Sequence, residues 1–261
     1  MGAGSFVLSY LQVFLFTMKI SVVIPFYNNW DLVHSRLNEL YHHVPMDTEI
    51  ILINDASTDD DTESAKQIKW WKDGLGEGGP MNGRLYAYRN KENKGFGYSV
   101  NRGFRIAFDH GADGVCLLTN DVTVLSNFIA NVDTILSLKT NVLIGGELMF
   151  NDTGWNRLPG CGAVPYANGW FLATDKETWK VLGGFDPIYG KFDCEDLDLS
   201  TTAWWKGVQL VPANASFRHQ SGKTVNKYYP DRERYTLHNV QLWREKWASR
   251  AEELRMKIYG Q

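Results

Sequence analysis

A chain of 261 residues, 44% hydrophobic and 22% charged, is long enough to bury a sizeable core and is unlike a disordered protein in composition. A formal net charge of −3 and a pI near 6.1 exclude a general electrostatic grip on nucleic acid. Three cysteines (Cys116, Cys161, Cys194) have neither metal-ligand spacing nor the even count of a disulfide framework, which points to a reducing compartment.

Residues 1–17, "MGAGSFVLSYLQVFLFT", are uncharged and apolar. The run is shorter than the ~20 residues a membrane-spanning helix needs, and it lacks the basic start of a signal peptide. The reading adopted is an extension ahead of Met18, which opens "MKISVVIPFYNN" as a cytoplasmic α/β domain would begin. A short packed or membrane-associating helix, with peripheral membrane localisation, is the alternative.

From there the elements alternate. "KISVVIPFYNN" (19–29) reads as a buried strand ended by Pro25 and an Asn pair, and "DLVHSRLNELYHHV" (31–44) as a helix with Asp31 placed to cap it. "EIILIND" (49–55) is an apolar strand, and "STDDDTESAKQIKWW" a helix with an acidic first turn. "RLYAYRN" (84–90) gives a third strand, "GYSVNRGFRIAFDHG" a helix closed by Gly111, and "DGVCLLTND" (113–121) a fourth strand. Near-continuous apolar strands separated by helices imply a parallel sheet covered on both faces. Gly74 to Gly83 is a flexible connection, 151–169 is loop-rich, and 231–259 has an amphipathic helical pattern with room for one break.

Several motif-like stretches fail on inspection. "SGKT" (221–224) has Phe217 where a phosphate-binding loop needs Gly, and "GFGYSV" (95–100) has Val100 where a dinucleotide fingerprint needs its third Gly. "KFDCEDLDLS" (191–200) holds Asp193, Glu195, Asp196 and Asp198, but Asp198 stands where an EF-hand requires its turn glycine. Leu197, Thr201 and Trp204 share a stripe and Gly207 closes the segment, so 195–206 reads as a helix with Asp193 as N-cap.

Ligands of a parallel sheet sit beyond the carboxyl ends of its strands. Three strands end in Tyr27–Asn28, Asn54–Asp55 and Asn120–Asp121. Asp55 there could accept from a base edge and Asp121 could hold a divalent cation against a diphosphate; for either alone, capping the next helix is the plainer explanation.

The order of motifs decides between these. "VVIPFYNN", "ILINDASTDD", "NKGFGYSVNRGF", "LLTNDV" and "GGFDPIYGKFDCEDLDLSTTAWWKGVQLVPANASFRHQSGKT" together resemble the family 2 glycosyltransferases of GT-A fold, particularly their rhamnosyltransferase-like branch, from about Lys19 to Thr224. "NVQLWREKW" (239–247) is similar to the helix that often ends these chains. The resemblance implies a Rossmann-like, mostly parallel α/β sheet with helices on both faces over 18–227, followed by a C-terminal helical segment over 228–261. It implies an inverting enzyme that moves a sugar from a nucleotide-diphosphate sugar to a hydroxyl on a glycan, lipid-linked glycan or other acceptor, as in polysaccharide biosynthesis.

Position by position, the resemblance makes Asp196 the catalytic base. It assigns Pro25, Tyr27, Asp55, Asn93, Asn101 and Asn120 to the donor nucleotide, and Trp170 and Glu195 to the acceptor side. Asp121 and His219 become the contacts of Mn²⁺ or Mg²⁺ bound with the donor diphosphate. The chain departs from the pattern at Thr119, where many members carry the first Asp of DxD, and at Asn54, where a first Asp is common. Two other readings stand beside this one: a non-catalytic GT-A-like domain that binds nucleotide or glycan, and a sugar nucleotidyltransferase. The second would be expected to carry a Gly-rich basic loop after the first strand, and "PFYNNWD" has neither Gly nor a basic residue.

Overall fold

The computed structural model describes residues 18–59, 61–73, 79–220 and 227–260. The reading of residues 1–17 and the positions Gly222 and Thr224 lie outside them. Seven strands form the central sheet: β1 (Ile20–Phe26), β2 (Glu49–Asn54), β3 (Leu85–Arg89), β4 (Gly114–Leu118), β6 (Val142–Gly145), β11 (Phe171–Asp175) and β12 (Gln209–Pro212), in the order β12-β6-β11-β4-β1-β2-β3. All neighbours run parallel except β11, which is antiparallel to both β4 and β6. Beside this sheet, the short β7 (Leu148–Met149) pairs with β10 (Tyr166–Ala167), and β8 (Arg157–Leu158) with β9 (Gly162–Ala163).

Period-2 alternation splits the core between the two faces. Val22, Ile24, Ile50 and Leu52 point to one face, where α1 (Trp30–His43), α2 (Asp61–Asp73) and α4 (Phe128–Leu138) cover them. Val23, Ile51, Ile53, Val115 and Leu117 point to the other, under α3 (Phe96–Asp109), α5 (Lys176–Leu182) and α6 (Glu195–Lys206). This is the mixed α/β architecture expected from the sequence.

Two local expectations change. Asp31 does not cap α1: the N-cap is Asn29 in left-handed conformation, and Asp31 sits in the first turn. The segment 113–121 is not one strand. β4 stops at Leu118 because Thr119 Oγ1 bonds Asp121 Oδ1 at 2.7 Å and Val122 N–H donates to Thr119 O, which turns the chain into β5 (Val122–Val124).

The C-terminal segment forms α7 (Arg232–Trp247) and α8 (Ala251–Tyr259), broken by a 3₁₀ turn at Ala248–Arg250. Val240, Trp243, Trp247 and Leu254 build a third core with Leu158, Val164, Tyr189 and Leu197. These helices therefore pack under the start of α6 and against the loops of 158–164. Among the described residues, no helix is long and apolar enough to cross a membrane.

Candidate active site

Because β1, β2, β4 and β6 are parallel, their carboxyl ends meet at one edge of the sheet, while β11 enters the sheet from that same edge. The connections Phe26–Tyr27, Asn54–Asp55, Thr119–Asp121, Gly146–Glu147 and Gly169–Trp170 consequently converge. They line a cleft of about 520 Å³, within the range of ligand-binding pockets. Pro25, Tyr27, Asp55, Asn93, Asn120, Asp121, Trp170, Glu195, Asp196 and His219 all line it. Asn101 does not: its amide donates to Phe185 O at 2.8 Å and accepts from Phe185 N–H at 2.9 Å. Its assignment to the nucleotide is corrected to a brace between α3 and the loop before α6.

At the ends of β1 and β2, Asn28 ties two loops together, its Oδ1 accepting from Thr58 N–H (2.7 Å) and Asp59 N–H (3.1 Å). Asn54 accepts from Ser57 N–H at 2.8 Å, a bond to the backbone three residues on that an asparagine makes as well as an aspartate. Asp55 is buried and does not cap the next helix. Its carboxylate accepts from Asn90 Nδ2 (2.6 Å), Lys94 N–H (3.0 Å) and Gly95 N–H (2.8 Å), so it holds the N-terminus of α3 from across the sheet. Gly95 is required there: its φ is +94°, and a Cβ would stand 2.4 Å from Gly190 O. Tyr27 packs edge-on against Tyr228 at 5.8 Å, and Tyr229 bonds Asn93 Nδ2 through its hydroxyl at 3.1 Å.

Below the β4 turn, β13 (Phe217–His219) pairs antiparallel with β5, and the register His219↔Val122 brings the imidazole beside Asp121. His219 Nε2 lies 3.6 Å from Asp121 Oδ2, and the ring stacks on Trp170 at 5.3 Å. Burial pushes the Asp121 carboxyl up, but the neighbouring His219 imidazole and the hydrogen bond from Thr119 outweigh it and hold the group below its ordinary range. Among the described residues, no group of three or more His, Cys, Asp or Glu side chains is placed to hold a metal ion. Asp121 and His219 remain a chemically suitable pair for Mn²⁺ or Mg²⁺ bound jointly with a diphosphate, which must then supply the other oxygens.

At the start of α6, Asp193 and Cys194 are both left-handed, with φ of +67° and +75°. Two such residues in succession are strained without glycine, and strain of this kind persists only where the surroundings hold it. Here α7 does so. Asn239 Nδ2 reaches the carbonyls of Tyr189, Phe192 and Asp193 at 2.8–2.9 Å. Arg232 grips both oxygens of Asp193 at 3.0 and 2.8 Å, and Thr236 bonds it at 2.6 Å. Asp193 is therefore not the N-cap expected from the sequence, which is Cys194. Asp198 is not surface helix chemistry either: it is buried, bonded to Trp247 Nε1 and Lys246 Nζ at 2.7 Å each.

The turn aims Asp196 at the cleft floor. Its Oδ2 accepts from Gly169 N–H and its Oδ1 from Leu197 N–H, each at 2.8 Å. Gly169 permits this approach, since a Cβ there would stand 3.1 Å from the Cβ of Asp196. Burial pushes the Asp196 carboxyl up to about 6, opposed by those two N–H groups and reinforced by Asp193. Glu195 next to it is raised well above the carboxylate range, by burial first and then by Asp196 and Asp193. Two adjacent carboxyls with raised affinity for protons form an arrangement suited to proton transfer near neutral pH.

Sequence reasoning missed Arg232, Thr236 and Asn239. Their spacing of four and then three residues places them on one face of α7, a polar stripe in an otherwise ordinary amphipathic pattern. It was the one available signal.

The glycosyl transferase family 2 model matches residues 21–156. No curated protein matches the sequence significantly. Among solved structures, a mannosyltransferase from Pyrobaculum calidifontis with GDP-Man and Mn²⁺ is 18% identical with a TM-score of 0.57, covering 76% of this chain and 55% of that one. GalNAc-T7 with UDP, GalNAc and Mn²⁺ is 17% identical with a TM-score of 0.62, over 94% of this chain and 57% of that one. S. aureus TarS with UDP-GlcNAc is 13% identical with a TM-score of 0.56, over 87% of this chain and 66% of that one. The chain thus spans between 55% and 66% of the length of these three neighbours. At such identities they share its fold, and the family match, which takes in the β1, β2 and β4 strand ends, carries the assignment: the chain belongs to glycosyl transferase family 2.

Proposed function

We propose that the protein is an inverting glycosyltransferase acting on a nucleotide-diphosphate sugar, with Asp196 as base. The motif order of the sequence supports placing it in the rhamnosyltransferase-like branch. The observation that carries the reading is the position of Asp196. It is a carboxylate anchored by two backbone N–H groups on the floor of the cleft that Asp55 and Asp121 line. Asp196 takes the proton of an acceptor hydroxyl as that oxygen attacks the anomeric carbon. The bond to the nucleoside diphosphate breaks in the same in-line step, and the diphosphate leaves with the electron pair. A divalent cation held by Asp121 and His219 would offset charge on the leaving diphosphate. Tyr27, Asn93 and Asp55 line the nucleoside half, and Trp170 with Glu195 borders the acceptor half. The setting proposed is polysaccharide biosynthesis in the cytoplasm.

The direct test is release of nucleoside diphosphate from a panel of nucleotide sugars, with and without Mn²⁺. A domain that only binds nucleotide or glycan would be saturated by a member of the panel and release nothing.

The pH profile gives a second check. Asp196 acts only when ionised, and its pKa is raised to about 6. Below that value kcat/KM should fall by about tenfold per pH unit, and above it should level off. An acid limb at the ordinary Asp value, near 4, would remove Asp196 from the base role.

Asp55→Ala should weaken nucleoside diphosphate binding by about 1.5–3 kcal/mol, the range for a hydrogen bond to a charged group. It should also lower the melting temperature, because the N–H groups of Lys94 and Gly95 lose their acceptor. Reduced stability with an unchanged dissociation constant would restrict Asp55 to bracing α3.

A further inference from the structure

Trp155 is 44% exposed and lines the cleft, although nothing in a folding core explains a tryptophan there. Among the described residues it makes no ring-stacking contact. The turn that carries it is nonetheless pinned throughout. Gly154 N–H donates to Asp152 Oδ1 at 2.8 Å and Thr153 N–H to Asn156 Oδ1 at 2.9 Å. Asn156 is fully buried and donates to Asn151 O (3.1 Å) and Val164 O (3.0 Å). Arg157 pairs with Asp152 at 2.5 Å, and Arg244 of α7 donates to Gly154 O and Arg157 O at 3.0 Å each. A frame so held that presents a half-exposed indole has already met much of the ordering cost of binding, which is how an aromatic anchor gains affinity.

Asn168 N–H donates to Glu147 O at 2.9 Å and Val164 N–H to Asn156 O at 2.8 Å, so the segments that carry Trp155, Glu147 and Asn168 form one hydrogen-bonded wall of the cleft, whose polar groups suit one class of ligand. Glu147 is exposed, and its Oε2 accepts only long bonds, from Trp170 Nε1 (3.3 Å) and Asn168 Nδ2 (3.4 Å). Asn168 immediately precedes Gly169, which touches Asp196, so this wall borders the base and not the nucleoside loops. A flat aromatic face in a cleft that also carries a carboxylate and an amide matches a pyranose ring, whose C–H face is apolar and whose edge carries hydroxyls.

Charge narrows the class further. Around Asp196 the cleft carries the carboxylates of Glu147 and Asp196, while Asp193 is paired with Arg232 and burial raises the proton affinity of Glu195. Of the described lysines and arginines lining the cleft, Arg232 is engaged by Asp193 and Lys191 lies over the Tyr229 ring at 5.5 Å, toward the nucleoside. An anionic group beside the reacting hydroxyl would meet the like charge of Glu147 and Asp196.

We propose that Trp155, Glu147 and Asn168 form an acceptor subsite for an uncharged sugar ring, stacked on the Trp155 indole. The proposal rests on the transferase reading, but binding tests it separately from turnover. Isothermal titration of neutral oligosaccharides, and of uronate, sulfated and phosphorylated counterparts, into nucleoside diphosphate-saturated protein is the experiment. At least one neutral saccharide should bind, with anionic analogues of the same sugar weaker. Trp155→Ala should weaken that binding by about tenfold or more, and Trp155→Phe should recover part of it. Glu147→Lys should shift preference toward the anionic set. Nucleoside diphosphate titration of each variant checks that the donor half is intact. Equal saccharide affinity in wild type and Trp155→Ala, a preference for anionic saccharides in the wild type, or no saccharide binding at all would overturn the subsite. Saccharide binding that depends on Trp155, without nucleoside diphosphate release from any donor, would keep the subsite and count against the transferase reading.

Discussion

Asp196→Asn is expected to reduce sugar transfer by about 10²-fold or more while leaving nucleotide binding and the fold nearly intact. Asparagine fills the same volume but cannot accept a proton at neutral pH. It also offers one acceptor oxygen where the carboxylate offers two, so either Gly169 N–H or Leu197 N–H loses its partner. That loss costs about 1–3 kcal/mol, and removal of a charge whose burial raises its pKa to about 6 works in the other direction. The informative control is Asp198→Asn, two residues along the same helix. Asp198 bonds Trp247 and Lys246 beneath α6 and does not line the cleft. Its replacement should lower the urea midpoint yet leave transfer per folded molecule close to wild type. Rates measured at saturating donor separate the two: comparable transfer by wild type and Asp196→Asn would sink the assignment of the base.

Asp121→Ala should abolish most activity and, with it, the mutual dependence of metal and nucleotide. The site as built is poor in protein charge. Asp121 supplies the carboxylate, His219 stands 3.6 Å away, and Thr119 contributes a hydroxyl whose proton is committed to Asp121 Oδ1. Cation affinity rises with ligand charge count, so Mn²⁺ should bind weakly to the free protein and much more tightly once a diphosphate completes the shell. Linkage requires the same factor in the reverse direction, on the order of tenfold or more for a coupling of this kind. Thr119→Asp replaces the hydroxyl donor with a second carboxylate facing Asp121. It should therefore raise metal affinity in the absence of nucleotide and weaken the dependence. Calorimetric titration of Mn²⁺ into nucleotide-free and nucleotide-saturated protein measures both quantities. Tight binding to the nucleotide-free form, or full transfer in excess chelator, would overturn this account of Asp121 and His219.

The sheet was legible because its information is local. Val22, Val23 and Ile24 alternate between two cores with the period of a strand, and the α6 stripe of Leu197 and Thr201 repeats with the period of a helix. Strand ends could be read the same way: "FYNN", "IND" and "TND" stand where parallel strands deliver their side chains to one edge, and each contributes to the cleft, through Phe26 and Tyr27, through Asp55, and through Thr119 to Asp121. Motif order extended this to the family, which the match over residues 21–156 establishes.

Side-chain partners were not legible, because a carboxylate next to a helix looks the same whether it caps that helix or binds a group far along the chain. Asp55 was open to reading as a local cap and instead bonds the backbone of Lys94 and Gly95 across the sheet edge. Asp193 was read as the N-cap of α6 and is held by Arg232 and Thr236; Asp198, read as first-turn chemistry, is held by Lys246 and Trp247. Asn101, which the resemblance assigns to the nucleotide, turns its amide to Phe185. By itself the sequence determined the periodicities, the strand ends and therefore the fold and the region of the site. That Asp193, Glu195 and Asp196 line the cleft while Asp198 is tied to Lys246 and Trp247 was decided only when α7 docked against the turn before α6. Hydrophobic period is a property of neighbouring residues, whereas the partner of a buried charge is whatever the packed chain brings within about 3 Å of it.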